Sequence, residues 1–296
     1  MGHNQSIIVI SAPRRSLRWV EAYAAPGRDD SQHQFDALSC AEHDVIRGRP
    51  TISISGYAKR RATDMKYHYV WLGWSSGFLL PWLALYVTNP RFRPVMWRVS
   101  LVTAVFGLTE PIWVPEYWNP PSLLDLAART GFDIESFIFG FAIGGIGAVL
   151  YNALTHRQFG PVSAAERRRA WHRFHAVALW SPYVLFVTLY FLPWNPIYPA
   201  ILCLAIGGIA SGICRPDLNA KGLVGGAVFL FLYATFMLGL VWFTPGYIPH
   251  VWNLPALSGV LVGGIPLEEL LFGFSFGWYW TGVYEHFTWS TSGVHR

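Results

Sequence analysis

The stretch "GGIPLEELLFGFSFG", residues 263–277, places two adjacent glutamates at the start of an apolar run. A second stretch, "GFDIESFIFGFAIGG" at residues 131–145, repeats the same pattern. Similarity at a fixed offset is typical of a duplicated structural unit. The matched positions are Glu135 and Glu268, Phe139 and Phe272, Gly140 and Gly273, and Gly144 and Gly277.

The composition is that of a membrane protein with a polar N-terminal tail. The chain has 296 residues, of which 53% are hydrophobic and 13% charged, whereas soluble domains average about 25% charged residues. Residues 1–68 hold 10 of the 22 basic and 7 of the 17 acidic residues. We therefore interpret residues 1–67 as a polar, largely disordered or peripheral tail joined to a body that lies in a lipid bilayer.

Apolar windows of about 20 residues predict transmembrane helices. Runs of this length do not match the alternating pattern of outer-membrane strands. The sequence predicts an all-α membrane protein with about seven transmembrane helices. The predicted spans are 68–88, 98–115, 133–155, 172–193, 197–213, 222–243 and 259–284.

The duplicated motif organises these spans into two parallel three-helix repeats joined by one linking helix. The loop motif "WNPP" at 118–121 precedes the first acidic helix, and "WNLP" at 252–255 precedes the second. The predicted regions after the tail are a first repeat at 68–155, a basic loop and linking helix at 156–196, a second repeat at 197–286, and a C-terminal tail at 287–296.

Loop charges predict the orientation. The loops after the first, third and fifth spans, together with the C-terminus, hold 11 of the 12 basic residues beyond position 68. The positive-inside rule places these loops in the cytoplasm of a multi-pass protein of the cell inner membrane. Lys59, Arg60, Arg61 and Lys66 precede the first span on the other face and run against this rule.

The acidic helix starts have two explanations. Proline and first-turn carboxylates favour helix initiation, and Asp133 fits an N-cap. However, ionisable residues within membranes usually face the bundle interior and mark function. Glu135 shares a helical face with Phe139, as Glu268 does with Phe272. We therefore predict Glu135, Glu268 and Glu269 as catalytic acids. The glycine pairs of the same helices are predicted to serve close helix packing.

Substrate-binding residues are predicted among the aromatic side chains around these acids. The predicted set comprises Trp118, Phe139, Trp252, Phe272, Trp278 and Tyr279, together with Asp133. A dry apolar pocket disfavours charged carboxylates, and can therefore keep a carboxylic acid protonated beside an alkene. Protonation of the alkene would give a carbocation that aromatic faces stabilise. Ring closure and proton loss would complete a redox-neutral isomerisation of a lipophilic polyene, with no cofactor and no metal.

At these residues the chain resembles the lycopene cyclase domain family of small membrane carotenoid cyclases. The resemblance rests on "IESFIFGF", "PLEELLFGF", "RFRP" at 91–94 and "RPDL" at 215–218, and covers roughly residues 68–286. It implies cyclisation of linear carotene ends, of the lycopene to β- or γ-carotene type, without a redox cofactor. Glu268 and Glu269 would be the proton donor and its partner, and Glu135 the equivalent acid of the first repeat.

The first repeat departs from the family motif, since Asp133 replaces the proline and Ser136 the second acid. Its role would then be supporting, or the substrate would differ from lycopene. A cyclase of another polyprenoid, a non-covalent carotenoid-binding protein and a proton-coupled membrane transporter stay open as alternatives.

Other classes fit the sequence poorly. A retinal protein needs a lysine within the last span, but the lysines are Lys59, Lys66 and Lys221. No GxGxxG motif indicates a nucleotide-binding fold, and no nucleic-acid partner is predicted. His172 and His175 lack the further histidines of a di-iron membrane oxidase, so we interpret them as residues of a basic cytoplasmic loop.

Overall fold

The computed structural model describes residues 66–293, and the predicted tail therefore lies almost entirely outside it. The described residues are mostly helical. Helical segments of 16 residues or more are α1 (Val70–Thr88), α2 (Pro90–Trp113), α3 (Ile134–Leu154), α4 (His175–Tyr190), α5 (Ile197–Cys214), α6 (Pro216–Phe243) and α7 (Leu267–Thr288). Short helical turns also form at Leu126–Thr130, Ala164–Arg167, Ala170–Phe174 and Tyr247–Val251.

Five of these helices, α1, α2, α3, α5 and α6, are long and apolar enough to cross a membrane. The α4 helix has 16 residues, fewer than the roughly 20 that a bilayer core requires. The α7 helix has 22 residues, but its first turn carries two glutamates. Membrane association thus follows from five helices, while seven spans and their arrangement as repeats stay predictions.

Within the described residues, four short strands accompany the helices: β1 (Gln158–Pro161), β2 (Leu261–Val262), β3 (Ile265–Pro266) and β4 (Ser290–Gly293). The β1 strand pairs antiparallel with β4, with Gln158 opposite Gly293. The β2 strand pairs with β3 across Gly263 and Gly264, whose φ angles are 61° and 85°. Two consecutive positive φ angles define the tight hairpin turn that Gly-Gly favours. The last helix therefore begins at Leu267 and not at the predicted residue 259.

The α2 helix also differs from its predicted span of 98–115. It begins at Pro90, because a 3₁₀ turn over Pro90–Phe92 leads directly into the α-helix. A second 3₁₀ segment, Val105–Thr109, precedes a last turn over Glu110–Trp113. Proline suits the first positions of a helical turn. The "TEP" sequence thus starts a new turn and carries Glu110 into the protein interior.

Glycines allow α3 and α7 to approach their neighbours closely. A Cβ atom on Gly144 would lie 2.1 Å from Thr103 Oγ1 of α2, and one on Gly277 would lie 2.5 Å from Phe229 Cβ of α6. Both distances are shorter than any ordinary contact, so only glycine fits. The packing role predicted for these glycines is confirmed.

The loops that carry "WNPP" at 118–121 and "WNLP" at 252–255, called here the first and second Trp-Asn loops, contact each other. Trp118 and Trp252 form an antiparallel β-bridge. Asn119 N donates to Val251 O and Asn253 N donates to Tyr117 O, both at 2.9 Å. The two hydrogen bonds join equivalent positions of the two loops, and they bring the residues preceding α3 and α7 to the same end of the bundle.

Candidate active site

Glu269 lies in the first turn of α7 with 4% of its surface exposed. Its Oε1 accepts hydrogen bonds from the Tyr117 hydroxyl and, at 2.7 Å, from Trp252 Nε1. Its Oε2 accepts a hydrogen bond from the Tyr233 hydroxyl. Within residues 66–293, the partners of this carboxyl group are neutral donors from the first Trp-Asn loop, the second Trp-Asn loop and α6.

These donors meet at one wall of an aromatic cavity of about 410 Å³. Five predicted substrate-binding side chains line it, and so do two carboxylic side chains, Glu269 and Glu110. The five aromatic residues are Trp118, Phe139, Trp252, Phe272 and Tyr279. The cavity is therefore an apolar chamber with acid groups in its wall.

Glu110 is a carboxylic residue of the site that was not predicted from the sequence, and Tyr117 and Tyr233 were not predicted either. Glu110 is 3% exposed, and its Oε2 accepts a 2.7 Å hydrogen bond from Ser136 Oγ. Its Oε1 is buried without a hydrogen-bond partner among the described residues. The signal available in the sequence was the acid that interrupts the second apolar window.

Glu268 does not line the cavity, although it neighbours Glu269. Consecutive helical residues point about 100° apart, so Glu268 faces the loop before α7. Its Oε1 accepts from the Tyr198 hydroxyl and from Ser258 N, both at 2.8 Å. The expected acid pair is thus divided between two environments.

Glu135 has a similar position in the first turn of α3. It is fully buried, and its Oε1 accepts a 2.7 Å hydrogen bond from Leu123 N in the preceding loop. Like Glu268, it holds the loop that leads into its own helix. Of the three predicted acids, the structure brings only Glu269 to the cavity.

Two predicted binding residues serve other purposes. Asp133 is the N-cap of α3, because its Oδ1 accepts a 2.5 Å hydrogen bond from Ser136 N. Trp278 packs against Gly208, where a Cβ atom would lie 2.8 Å from the indole ring. Neither side chain belongs to the cavity wall.

Within the part of the chain that the structure describes, the group of side chains close enough to share a metal ion lies outside this cavity. It comprises His172, His175 and Cys214. The cavity wall supplies carboxyl, hydroxyl and indole groups, which suit proton transfer more than metal binding.

Comparison with known families confirms the resemblance for part of the chain. Residues 195–287 match the family model described as lycopene cyclase. This segment includes Glu268 and Glu269, and it supports a carotenoid cyclase-like function. No curated protein and no solved structure matches the chain.

Proposed function

We propose that this protein, which carries lycopene cyclase family sequence over residues 195–287, closes a ring on the end of an acyclic polyene. The reaction is acid-initiated and redox-neutral, as in the conversion of lycopene to β- or γ-carotene. The observation that carries the proposal is the placement of Glu269. Its carboxyl group lies in the wall of an apolar aromatic cavity and contacts three neutral donors.

Glu269 in its protonated form is the proposed general acid. Its proton forms a new C–H bond with one carbon of the terminal double bond, whose π electrons supply that bond. The other carbon becomes a carbocation, and Glu269 becomes a carboxylate. The Tyr117, Tyr233 and Trp252 donors then stabilise the developing negative charge. Donors fixed where charge develops lower a barrier more than reorienting water does.

The cavity wall protects the cation. Aromatic faces such as those of Phe139, Phe272 and Tyr279 attract positive charge. They also exclude water, which would otherwise trap the carbocation as an alcohol. A volume of about 410 Å³ lies at the lower end of ligand pockets, so we expect the cavity to enclose one end of a long polyene.

Glu110 is the proposed base. After a second double bond attacks the cation and closes the ring, one proton must leave a carbon next to the new cationic centre. Glu110 lines the same cavity. Its Oε1 has no hydrogen-bond partner among the described residues, while Ser136 donates to Oε2. Proton loss to Glu110 forms the ring double bond, so the product is an isomer of the substrate. Return of one proton from Glu110 to Glu269, directly or through water, restores the enzyme.

The membrane arrangement of seven spans in two parallel repeats stays part of this proposal. The symmetric hydrogen bonds between the two Trp-Asn loops support it. The regions 68–155 and 197–286 would then be the repeats, with the basic loops cytoplasmic in the cell inner membrane. The substrate would enter the cavity from the lipid bilayer.

The deciding experiment expresses the full chain in a host that accumulates lycopene, followed by chromatography of the pigments. We expect cyclic carotenes with the native chain and unchanged lycopene with Glu269→Gln, at equal protein levels in the membrane. Binding of lycopene without a new product would favour the carotenoid-binding alternative. Gradient-dependent uptake with unchanged lipid would favour the transporter.

A further inference from the structure

At the opposite end of α7 from Glu269, two histidines and a cysteine converge. His172 lies in the 3₁₀ turn before α4, His175 begins α4, and Cys214 ends α5. The ring nitrogen Nδ1 of His172 is 3.7 Å from Cys214 Sγ, and that of His175 is 3.4 Å from the same sulfur. All three potential ligand atoms lie within 4.8 Å of one another.

We infer that His172, His175 and Cys214 form a zinc-binding site that joins the start of α4 to the end of α5. In a tetrahedral site, Zn–S bonds of about 2.3 Å and Zn–N bonds of about 2.0–2.1 Å separate sulfur and nitrogen by roughly 3.5 Å. The observed separations of 3.4 and 3.7 Å bracket this value. Three protein ligands leave the fourth position for water.

The second ring nitrogen of His172 fits this assignment. A histidine that binds a metal through Nδ1 carries its proton on Nε2 and usually donates it to a carboxylate or another acceptor. His172 Nε2 lies 3.8 Å from Glu166 Oε1, just beyond hydrogen-bond distance. Among the described residues, Nε2 of His172 and Nε2 of His175 have no hydrogen-bond partner. A small shift on binding would bring Glu166 into contact with His172.

His172 and Cys214 are buried, with 7% and 3% of their surfaces exposed, and His175 is partly buried. The Trp289 ring stacks on His175 at a centroid distance of 3.9 Å. Arg215, which follows Cys214, is neutralised by Asp217 at 2.6 Å. Binding would replace the thiol proton of Cys214 by the metal and release that proton to solvent, while both imidazoles bind in neutral form.

The role of this site is structural. Pro182, which lines the aromatic cavity, follows His175 by seven residues on α4, which corresponds to about 10 Å along a helix. The metal is thus too distant to touch a substrate in the aromatic cavity, and the inference does not depend on the proposed function. We expect the ion to hold α4 against α5 and so to raise the thermal stability of the protein.

The test uses the full chain in a Cys40→Ser background, purified in detergent, stripped with a chelator and dialysed against Zn²⁺. We expect about one zinc per chain in this protein and in Cys203→Ser, a buried cysteine on the same helix. Cys214→Ser and His175→Asn should lose most of the metal. Titration of the stripped parent protein with Co²⁺ should give a thiolate-to-cobalt charge-transfer band, which Cys214→Ser should not show.

Absence of the cobalt band in the folded parent protein would overturn the inference, and this arm needs no variant to fold. Equal zinc in the parent protein and in Cys214→Ser would also overturn it. Chelation should lower the melting temperature of the parent protein but not that of Cys214→Ser. An equal change in melting temperature in the parent protein and in Cys214→Ser would show that the metal does not stabilise the protein through this cluster.

Discussion

Ser136 Oγ donates a 2.7 Å hydrogen bond to Glu110 Oε2, joining the first turn of α3 to the last turn of α2. Ser136 occupies the position that aligns with Glu269 in the duplicated motif. The second motif places a carboxyl group in the cavity wall directly from its acidic helix. The first motif places Ser136 there, and its hydroxyl contacts a carboxyl group from a neighbouring helix. Two carboxyl groups therefore reach one cavity by different routes.

Glu269→Gln should lower cyclisation by about 100-fold or more, the usual contribution of a general acid. The amide cannot donate a proton to an alkene, although its shape is almost that of the acid. Product formed per unit of membrane-inserted protein is the measurement.

Glu268→Gln is the matched control, because the two residues are adjacent. The amide oxygen of the variant can still accept from Tyr198 and Ser258, so cyclisation should be retained. Equal losses in the two variants would contradict the division between Glu268 and Glu269 and restore the acid pair expected from the sequence.

Glu110→Gln should lower cyclisation, because an amide cannot take up the proton released after ring closure. Ser136→Ala should lower it less, since Glu110 stays in place without its hydrogen bond. The effects of substitutions at two residues that act through one contact are not additive. The double variant should therefore have nearly the activity of Glu110→Gln alone. A loss of activity in the double variant equal to the product of the two single losses would argue against this coupling.

Tyr117→Phe and Tyr233→Phe each remove one donor to Glu269 and keep the aromatic ring. We expect a loss of about 10-fold or more in turnover for each, by analogy with donors that stabilise developing negative charge. Tyr279→Phe provides the control, because its hydroxyl lies 3.5 Å from that of Tyr183 and does not contact Glu269. Equal effects of the three variants would indicate that the hydroxyls act on packing and not on Glu269.

Gly277→Ala should destabilise the protein by about 1–3 kcal/mol, the usual cost of overpacking. Its Cβ would lie 2.5 Å from Phe229 Cβ, which belongs to the rigid part of that side chain. Gly73→Ala in α1 is the matched control, because its Cβ would meet nothing within 4 Å. Alanine favours a helix over glycine by about 1 kcal/mol, so this control should keep or raise the melting temperature in detergent.

The sequence by itself determined the helical class with helices apolar enough for a membrane, the close packing at the glycines and the family match that includes the second acidic motif. These properties follow from local patterns, since apolar run length and small-residue spacing act within one helix. The N-cap role of Asp133 was predictable for the same reason.

Only the tertiary structure decided which acids share a cavity. Glu268 and Glu269 are adjacent in sequence, yet the helical rotation between them turns one to a loop and the other to the aromatic chamber. Glu110 and Ser136 are 26 residues apart and meet because α2 packs on α3. His175 and Cys214 likewise meet only where α4 begins and α5 ends. Sequence patterns give the direction of a side chain relative to its own helix, but a site depends on how several helices pack together.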